Sequence, residues 1–432
     1  MRIKLHYEEP SFIELPEDKE VHVYELPPVA APDAEGLIRQ ALENPIGLPD
    51  FFAGIKPSDR LLLLCDDLTR QTRADLILPR LIPFFKERGI RDENIKIMIA
   101  YGTHRAMNRE EKIEKLGQEI VDRYEVLDHD YHDKSSLRYI GKTLGGVDIE
   151  INKHLEEFSI ILAVGQISPH PLAGWGGGCK MVMPGVSSKL TADQIHWLGA
   201  KATDELGNLV CLTAGPGEEG EDPNPMRREL EAVGMEAGLT AIFNVIQNTA
   251  GEMIAAVFGH PIAAFRQGVG IARERLCVKA SRQYDLVIAE SYPTDISFWQ
   301  ANKALRNAEL LCREGGMVVL ITPCPEGFVP DHPIIEEYGY ISFAKADGLI
   351  REGVIDDYVA AGNMTTVGKI LSTKSCVLVT KGIKKETCLK VGLGHEEDPA
   401  AAIAKALDKT KAQQIAVLLC GGETVPRVAK ME

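Results

Sequence analysis

The sequence predicts an α/β protein of two domains, each with a mostly parallel sheet flanked by helices. Its 432 residues are too many for one ordinary hydrophobic core, and a hydrophobic fraction of 45% is typical of a soluble globular protein. Short runs rich in leucine and β-branched residues alternate with helical patterns, which favours parallel strands. The predicted strands are LLLLCDD (61–67), IKIMIAYG (95–102), FSIILAVGQ (158–166), DLVIAESY (285–292), GMVVLITP (316–323), SCVLVTKG (375–382) and QIAVLLCGG (414–422).

The helical patterns between these runs end in glycine, as helix C-termini prefer. ADLILPRLIPFFKERG (74–89) and ANKALRNAELLCREGG (301–316) are two of them, and Asp398 followed by Pro399 predicts a capped start for a third. The charged stretch 273–283 precedes a new series of strands and helices. It therefore predicts a hinge between a domain at 1–272 and a domain at 284–409, and the segment of about 410–432 is a candidate to pack back on the first domain.

Charge and composition narrow the possible partners. A formal net charge of −15 argues against a nucleic-acid partner, because phosphate binding needs a positive field, although a local cationic pocket can still hold a small anion. No run of 18 apolar residues predicts a membrane span, and MRIKLHYEEPSF resembles neither a signal nor a transit peptide, so we expect a cytoplasmic protein. The nine cysteines form no C-x-x-C pair, which favours reduced, buried thiols.

Reactive side chains follow the first three predicted strands, and ligands of open α/β sheets bind beyond such carboxyl ends. Arginine pairs beside hydroxyls suit a carboxylate or a phosphate, because guanidinium groups bind both bidentately. The alternative interpretation of the segment after the first strand is a helix start that an aspartate caps, with both arginines exposed to solvent. The first strand is followed by Asp66, Asp67, Thr69, Arg70, Thr72 and Arg73.

Two histidines follow the second and third strands. His104 lies in AYGTHR, and His170 lies between two prolines in SPHPLAG. A lone histidine after a strand is more often structural, but two at equivalent strand ends can serve general acid and base catalysis.

The loop GWGGGCKMVMPG places Gly176, Gly177 and Gly178 before Lys180. It is not a P-loop, because Cys179 replaces the second required glycine and Met181 replaces the serine or threonine. The apolar neighbours of Lys180 predict a desolvated amine with a lowered pKa, suited to act as a nucleophile or covalent anchor. An ordinary phosphate-binding lysine is the alternative.

Two further segments carry candidate side chains. His196, in TADQIHWLG, lies on a predicted helix that begins at Thr191 and is either a metal contact or a core histidine. Gln300 and Lys303 are three residues apart on the first turn of another helix, so they share a face. They can bind an anion across an interdomain cleft, and the alternative is a plain helix start with exposed polar residues.

Together these segments resemble the nickel-pincer lactate racemases and the related 2-hydroxyacid racemases and epimerases. The matching blocks are DDLTRQTR, YGTHR, SPHPLAGWGGGCKMVMPG, QIHWLG and FWQANKAL, in the family's order over residues 66–305. The resemblance implies an active site in the interdomain cleft of a cofactor-binding N-terminal domain. It also implies a small-molecule 2-hydroxy acid as substrate and activation by separate cofactor-biosynthesis proteins. A homo-oligomer is possible.

The resemblance also implies roles for single residues. Lys180 would carry, through a thioamide, the nickel complex of pyridinium-3,5-bisthiocarboxylic acid mononucleotide, and His196 would be the protein's ligand to nickel. His104 and His170 would be the acid and base on the two faces of the substrate while the C2 hydride moves to the pyridinium ring. Arg70, Gln300 and Lys303 would bind substrate. Cofactor contacts would come from Asp67, Arg70, Thr72, Arg73 and the three glycines, Gly176, Gly177 and Gly178.

One departure concerns the substrate. The family's lactate enzyme has a tryptophan late in the second domain that shapes the pocket, but the last tryptophan here is Trp299, and 350–365 offers only Tyr358. The expected substrate is therefore lactate or a larger or more polar 2-hydroxy acid. A nicotinamide-dependent dehydrogenase would need G-x-G-x-x-G after the first strand, which is missing. A non-catalytic sensor of nickel or a 2-hydroxy acid would not need two histidines.

Overall fold

The computed structural model describes residues 1–218 and 220–429. The strands of these residues, in chain order, are β1 Arg2–Lys4, β2 Phe12–Glu14, β3 Glu20–Tyr24, β4 Leu61–Cys65, β5 Ile95–Ile99, β6 Glu125–Asp128, β7 Leu137–Lys142, β8 Asp148–Asn152, β9 Ile160–Gln166, β10 Pro169–His170, β11 Gly174–Trp175, β12 Ala241–Gln247, β13 Met253–Gly259, β14 Cys277–Ala280, β15 Tyr284–Glu290, β16 Cys312–Ile321, β17 Ser375–Val379, β18 Gly394–Glu396, β19 Gln414–Leu418 and β20 Val425–Val428. The α-helices are α1 Ala34–Glu43, α2 Ala74–Lys86, α3 Arg109–Leu116, α4 Gln118–Arg123, α5 Lys189–Leu206, α6 Pro225–Glu236, α7 Ala263–Leu276, α8 Phe298–Leu311, α9 Ile334–Tyr338, α10 Phe343–Arg351, α11 Tyr358–Thr373, α12 Lys385–Lys390 and α13 Pro399–Thr410.

The first large sheet has the strand order β13-β12-β9-β4-β5-β6. All of its pairings are parallel except that of β12 with the edge strand β13. Every residue of β4, β9 and β12 is buried, because helices cover both faces of the sheet. The carboxyl ends of β4, β5 and β9 therefore meet at one edge, where the chain carries its polar segments.

The second large sheet is wholly parallel and has the order β18-β17-β16-β15-β19-β3. The strand β19 lies inside it, between β15 and β3, and β20 pairs with β14. The described residues of the segment of about 410–432, up to 429, therefore pair with strands of the second half of the chain and with β3, and this differs from the expected packing of the segment on the first domain. The structure also places β3 in the second sheet, although the sequence assigned that segment to the first domain. The division at 273–283 stays a proposal, and this stretch contains the end of α7 and β14.

The predicted α/β class is confirmed, and each predicted strand run contains an observed strand: β4, β5, β9, β15, β16, β17 and β19. The helix α13 begins as predicted, because the Asp398 carboxylate accepts hydrogen bonds from the backbone N–H groups of Ala400 and Ala401. The helix that carries His196 begins at Lys189 with Ser188 as its cap, two residues before the predicted start.

Helices from the two halves of the chain meet across the cleft between the sheets. The helix α5, which follows the glycine-rich loop, packs against α11 and α10. This packing brings α8 and α11 opposite the carboxyl ends of the first sheet. No helix among the described residues is both long and apolar enough to cross a membrane.

Candidate active site

A cavity of about 150 Å³ lies in this cleft. Its walls come from the segments after β4, β5 and β9, from the glycine-rich loop, and from α5, α8 and α11. The structure thus brings together residues that are far apart in the sequence. The sequence-predicted residues that line it are Asp67, Arg70, His104, His170, Gly176, Gly177, Lys180, His196, Gln300 and Lys303.

His104 is paired with a buried carboxylate. Its Nδ1 lies 2.7 Å from Oδ2 of Asp67, while Oδ1 of Asp67 accepts the backbone N–H of Thr69 at 2.9 Å. Burial alone would raise the pKa of Asp67, but the charge and hydrogen bond of His104, with help from Arg70 and Thr69, lower it well below its ordinary value. Because an ionised carboxylate only accepts hydrogen bonds, Nδ1 of His104 carries a proton whether the ring is charged or neutral, and in the neutral ring Nε2 has a free lone pair.

In His170 the nitrogen Nδ1 accepts hydrogen bonds, whereas Nδ1 of His104 donates one. Nδ1 of His170 accepts the backbone N–H groups of Leu172 at 3.3 Å and Ala173 at 3.0 Å. The ring proton of the neutral side chain therefore lies on Nε2. Burial lowers the pKa of His170 well below its ordinary value, and the charges of Lys180 and Lys303 lower it further. The cavity thus contains one histidine with a free lone pair and one with a free N–H.

Lys180 is a desolvated amine, as the sequence predicts. Burial lowers its pKa to about 7, and Arg70 and Arg227 add to this effect while Asp67 opposes it. No hydrogen bond or ion pair to Nζ of Lys180 is found among the described residues. About half of the amine is therefore neutral near pH 7, and the side chain offers an unpaired nucleophile to the cavity.

The fold itself requires glycine in the loop before Lys180. Gly177 has φ of 79°, and a Cβ there would lie 2.7 Å from Oδ1 of Asn244. Gly178 has φ of 60° and would meet the ring of Phe265, while its N–H donates to Asn244 Oδ1 at 2.7 Å. A Cβ on Gly176 would make only ordinary contacts. The loop is therefore held close to β9 and β12, and this fixes the direction of Lys180.

His196 is oriented as a ligand. Its Nδ1 lies 2.7 Å from the backbone carbonyl of Ala192, so this nitrogen donates and Nε2 remains available to the cavity. Burial lowers the pKa of His196 to about 4, with a further contribution from Lys180. The imidazole is therefore neutral near pH 7, which is the form that binds metal ions.

The basic side chains Arg70, Lys180 and Lys303 line the cavity. Burial lowers the pKa of Lys303 well below its ordinary value, and Arg70 and Lys180 add to this effect. Glu423 opposes it, and burial raises the pKa of Glu423 to about 7. With Gln300 also on the wall, this part of the cavity suits a carboxylate.

Asp66 and Thr69 also line the cavity, whereas Thr72, Arg73 and Gly178 do not. Thr72 donates its hydroxyl to Oδ2 of Asp66 at 2.6 Å, and Asp66 is paired with Lys115 at 2.7 Å. Lys115 also donates to the carbonyl of Arg70 at 2.8 Å, so this buried network shapes the loop after β4. Arg73 is half exposed and donates to Asp75. Gly178 packs behind the loop.

Sequence reasoning missed the residues that support the site. Arg227 is fully buried and donates to the carbonyls of Ala173 and Trp175, and it therefore braces the glycine-rich loop. Asn244, which accepts the N–H of Gly178, could have been found, because it is the one polar residue inside the apolar run AIFNVI. The segment NPMRREL contains no pattern that distinguishes the buried Arg227 from an exposed arginine. In 350–365, Val359 and Asn363 line the cavity, whereas Tyr358 packs near Trp197 with ring centroids 6.2 Å apart.

Comparisons with known proteins agree with this arrangement of segments. Residues 7–206 match the family described as the lactate racemase N-terminal domain. The chain is 29% identical over 298 residues to a lactate racemase of Thermoanaerobacterium thermosaccharolyticum, covering 68% of this chain and 66% of that protein. It is 28% identical over 295 residues to a lactate racemase of Lactiplantibacillus plantarum, covering 67% and 66%. The matches thus span slightly less than two thirds of each relative.

Two solved structures share the fold. The lactate racemase apoprotein of Thermoanaerobacterium thermosaccharolyticum superposes with a TM-score of 0.84 at 24% identity, covering 99% of this chain and 100% of that chain. A protein of Thermotoga maritima superposes with a TM-score of 0.69 at 19% identity, covering 93% and 100%. At these identities the likeness establishes the fold alone.

Proposed function

We propose that the chain is a member of the lactate racemase family and an isomerase that inverts C2 of a 2-hydroxy acid, because its residues 7–206 match the family described as the lactate racemase N-terminal domain. Inversion needs a proton handler for the substrate hydroxyl on each face of C2, because the group that takes the proton in one direction must return it in the other. The observation that carries the proposal is the pair of histidines with opposite hydrogen-bond polarity in one cavity.

In this proposal His104 acts first as the base. Its Nε2 lone pair accepts the hydroxyl proton of the substrate, and the ionised Asp67 stabilises the imidazolium that forms. His170 acts as the acid from its imidazolium form: Nε2 gives its proton to the newly formed alkoxide and a neutral imidazole remains, with the other ring proton on Nδ1, from which the backbone N–H groups of Leu172 and Ala173 have to move away. For the opposite enantiomer the two residues exchange roles. The low pKa of His170 makes it a strong acid once it is protonated.

The site residues fit a covalently held nickel-pincer nucleotide. Lys180 offers an unpaired amine whose pKa is about 7, and His196 offers a neutral imidazole with Nε2 toward the cavity. Lys180 would be the attachment point and His196 the nickel ligand, with Arg70, Gly176 and Gly177 on the adjoining wall. When bound, this group would supply an acceptor and donor for the C2 hydride. Asp67 would position His104.

Arg70, Gln300 and Lys303 would bind the substrate carboxylate and the developing alkoxide, because a guanidinium group, an amide N–H and an amine N–H fixed in a buried cavity donate hydrogen bonds to such charge, and a bound anion favours the protonated form of Lys303. The wall formed by Val359 and Asn363 favours a substrate that is larger or more polar than lactate. The buried Oδ1 of Asn363 has no hydrogen-bond partner among the described residues, so it can accept one from a polar substituent.

The proposal extends to the cellular setting. The chain would act in the cytoplasm, and separate cofactor-biosynthesis proteins would have to load it before it is active.

Deuterium at C2 tests the reaction type. Protein co-produced with the cofactor-making enzymes would be given single enantiomers of several C2-deuterated 2-hydroxy acids in ordinary water, and the products separated by chiral chromatography and weighed. We expect inversion with the deuterium retained, because a hydride held in the site does not exchange with solvent. Inversion with loss of deuterium would show C2 proton abstraction instead. No inversion of any acid by nickel-loaded protein would overturn the proposed function.

A further inference from the structure

A second cluster of metal-ligating side chains lies away from the cavity, at the carboxyl edge of the second sheet. It consists of His6, Glu290 and Cys420, whose donor atoms all lie within 4.8 Å of one another. Glu290 ends β15, and Cys420 follows β19 by two residues. Both are buried, while His6 reaches them from the N-terminal segment with its side chain 31% exposed.

The cluster lies at a position of the second sheet where parallel sheets commonly bind ligands. From β15 the chain adds β16, β17 and β18 in one direction and then returns to place β19 on the other side of β15. The strand order therefore reverses between β15 and β19. In open parallel sheets the crevice outside the carboxyl ends at such a reversal is the usual binding position.

We propose that His6, Glu290 and Cys420 bind a divalent metal ion of the zinc class. Imidazole, carboxylate and thiolate are all zinc ligands, and their charges neutralise a divalent ion. Sγ of Cys420 lies 3.6 Å from Nδ1 of His6. Zinc–sulfur and zinc–nitrogen bonds of about 2.3 and 2.0–2.1 Å at a tetrahedral angle place the two ligand atoms about 3.6 Å apart.

The carboxylate already points at the same position. Oε1 of Glu290 lies 2.5 Å from Nδ1 of His6 and accepts the backbone N–H of Cys420 at 2.9 Å. A metal ion would take the place of the proton between Nδ1 and Oε1, and these two atoms would separate to about 3.3 Å. The half-exposed His6 ring can make this movement. Coordination releases the Cys420 thiol proton to solvent and leaves the ring proton of His6 on Nε2.

Neighbouring contacts hold the cluster in place. The ring of His6 stacks on Tyr292 at a centroid distance of 5.2 Å, and the backbone N–H of His6 donates to Oε2 of Glu290 at 2.9 Å. A groove along residues 1–8 reaches His6 and gives the ion a route from solvent, where water can complete the coordination. The ion would tie the N-terminal segment to the second sheet.

Zinc binding to the tag-free chain, made without the cofactor proteins, tests the proposal. All variants would carry His196→Ala, so that the main cavity does not compete. Equilibrium dialysis with metal analysis should give one zinc per chain, and His6→Ala and Cys420→Ser should each weaken binding at least 10-fold. His22→Ala is the matched control, because His22 is a partly exposed histidine of the same sheet whose ring pairs with Glu20, at 2.8 Å, away from the cluster. It should bind zinc like the parent.

Equal zinc affinity in the parent, His6→Ala and Cys420→Ser would overturn the proposal, and so would the absence of zinc binding to the parent. Cobalt substitution provides a second readout. The parent and His22→Ala should show a thiolate-to-cobalt charge-transfer absorption, and its absence from the parent would also refute the site. Should Cys420→Ser fail to fold, His6→Ala and the parent's cobalt spectrum still decide the question.

Discussion

The protonation of Lys180 provides a direct test of the electrostatics of the cavity. With a pKa of about 7, the neutral fraction of the amine should rise from about 9% at pH 6 to about 91% at pH 8 and then level off. Its acylation rate should therefore increase about 10-fold over this interval. A lysine with an ordinary pKa near 10.4 should increase about 100-fold and continue to rise.

The assay is pulsed acetylation of the cofactor-free protein followed by peptide mass spectrometry. Lys142 is an internal control, because a hydrogen bond to Asp148 raises its pKa and keeps the amine charged. Two variants should move the Lys180 midpoint in opposite directions. Arg70→Ala removes a neighbouring positive charge and should raise the midpoint, whereas Asp67→Asn removes a negative charge and should lower it. A Lys180 rate that keeps rising through pH 9 would refute the desolvated amine.

The further predictions concern four single residues. Lys180→Ala should abolish the covalent adduct in intact-mass spectra without changing the circular dichroism spectrum, and an unchanged adduct would contradict the role of Lys180. His196→Ala should retain some adduct but lose nickel on dialysis, and an unchanged nickel content would contradict the role of His196. Asp67→Asn should lower turnover about 10²–10⁴-fold, because the carboxylate that holds the proton on Nδ1 of His104 is lost. An unchanged rate would show that Asp67 has no part in the mechanism. Arg227→Met should lower the free energy of unfolding by about 2–4 kcal/mol, because two buried carbonyls lose their donor. Arg228→Met, a more exposed neighbour, is its matched control in chemical denaturation, and equal losses would contradict the bracing role.

The sequence predicted the central strands of both sheets because runs such as LLLLC are buried on both faces and therefore continuously apolar. It missed β12, where an asparagine interrupts the apolar pattern, and β13, which lies at the edge of the sheet. It also misplaced β3 and β19, because strand pairing across hundreds of residues leaves no local pattern.

The same limit applies to the site. Motifs predicted Lys180 and the histidines, because their chemistry is concentrated in short segments. The hydrogen bonds that distinguish His104 from His170 depend on Asp67 and on the backbone of the loop at 172–173, and only the folded chain brings these groups together. The sequence predicts that Arg73 contacts the cofactor. In the structure the guanidinium of Arg73 pairs with Asp75, which lies two residues away in the first turn of α2.

The pair of histidines tests the central claim most directly. His104→Ala and His170→Ala would be made with the cofactor-biosynthesis proteins and given each pure enantiomer of a 2-hydroxy acid that the parent interconverts, while chiral chromatography follows the opposite enantiomer. Each variant should lose about 10²–10⁴ of the rate in both directions, since one cycle uses both residues. Adduct and nickel content should stay at the parent's level. Interconversion near the parent's rate in both variants would contradict the account.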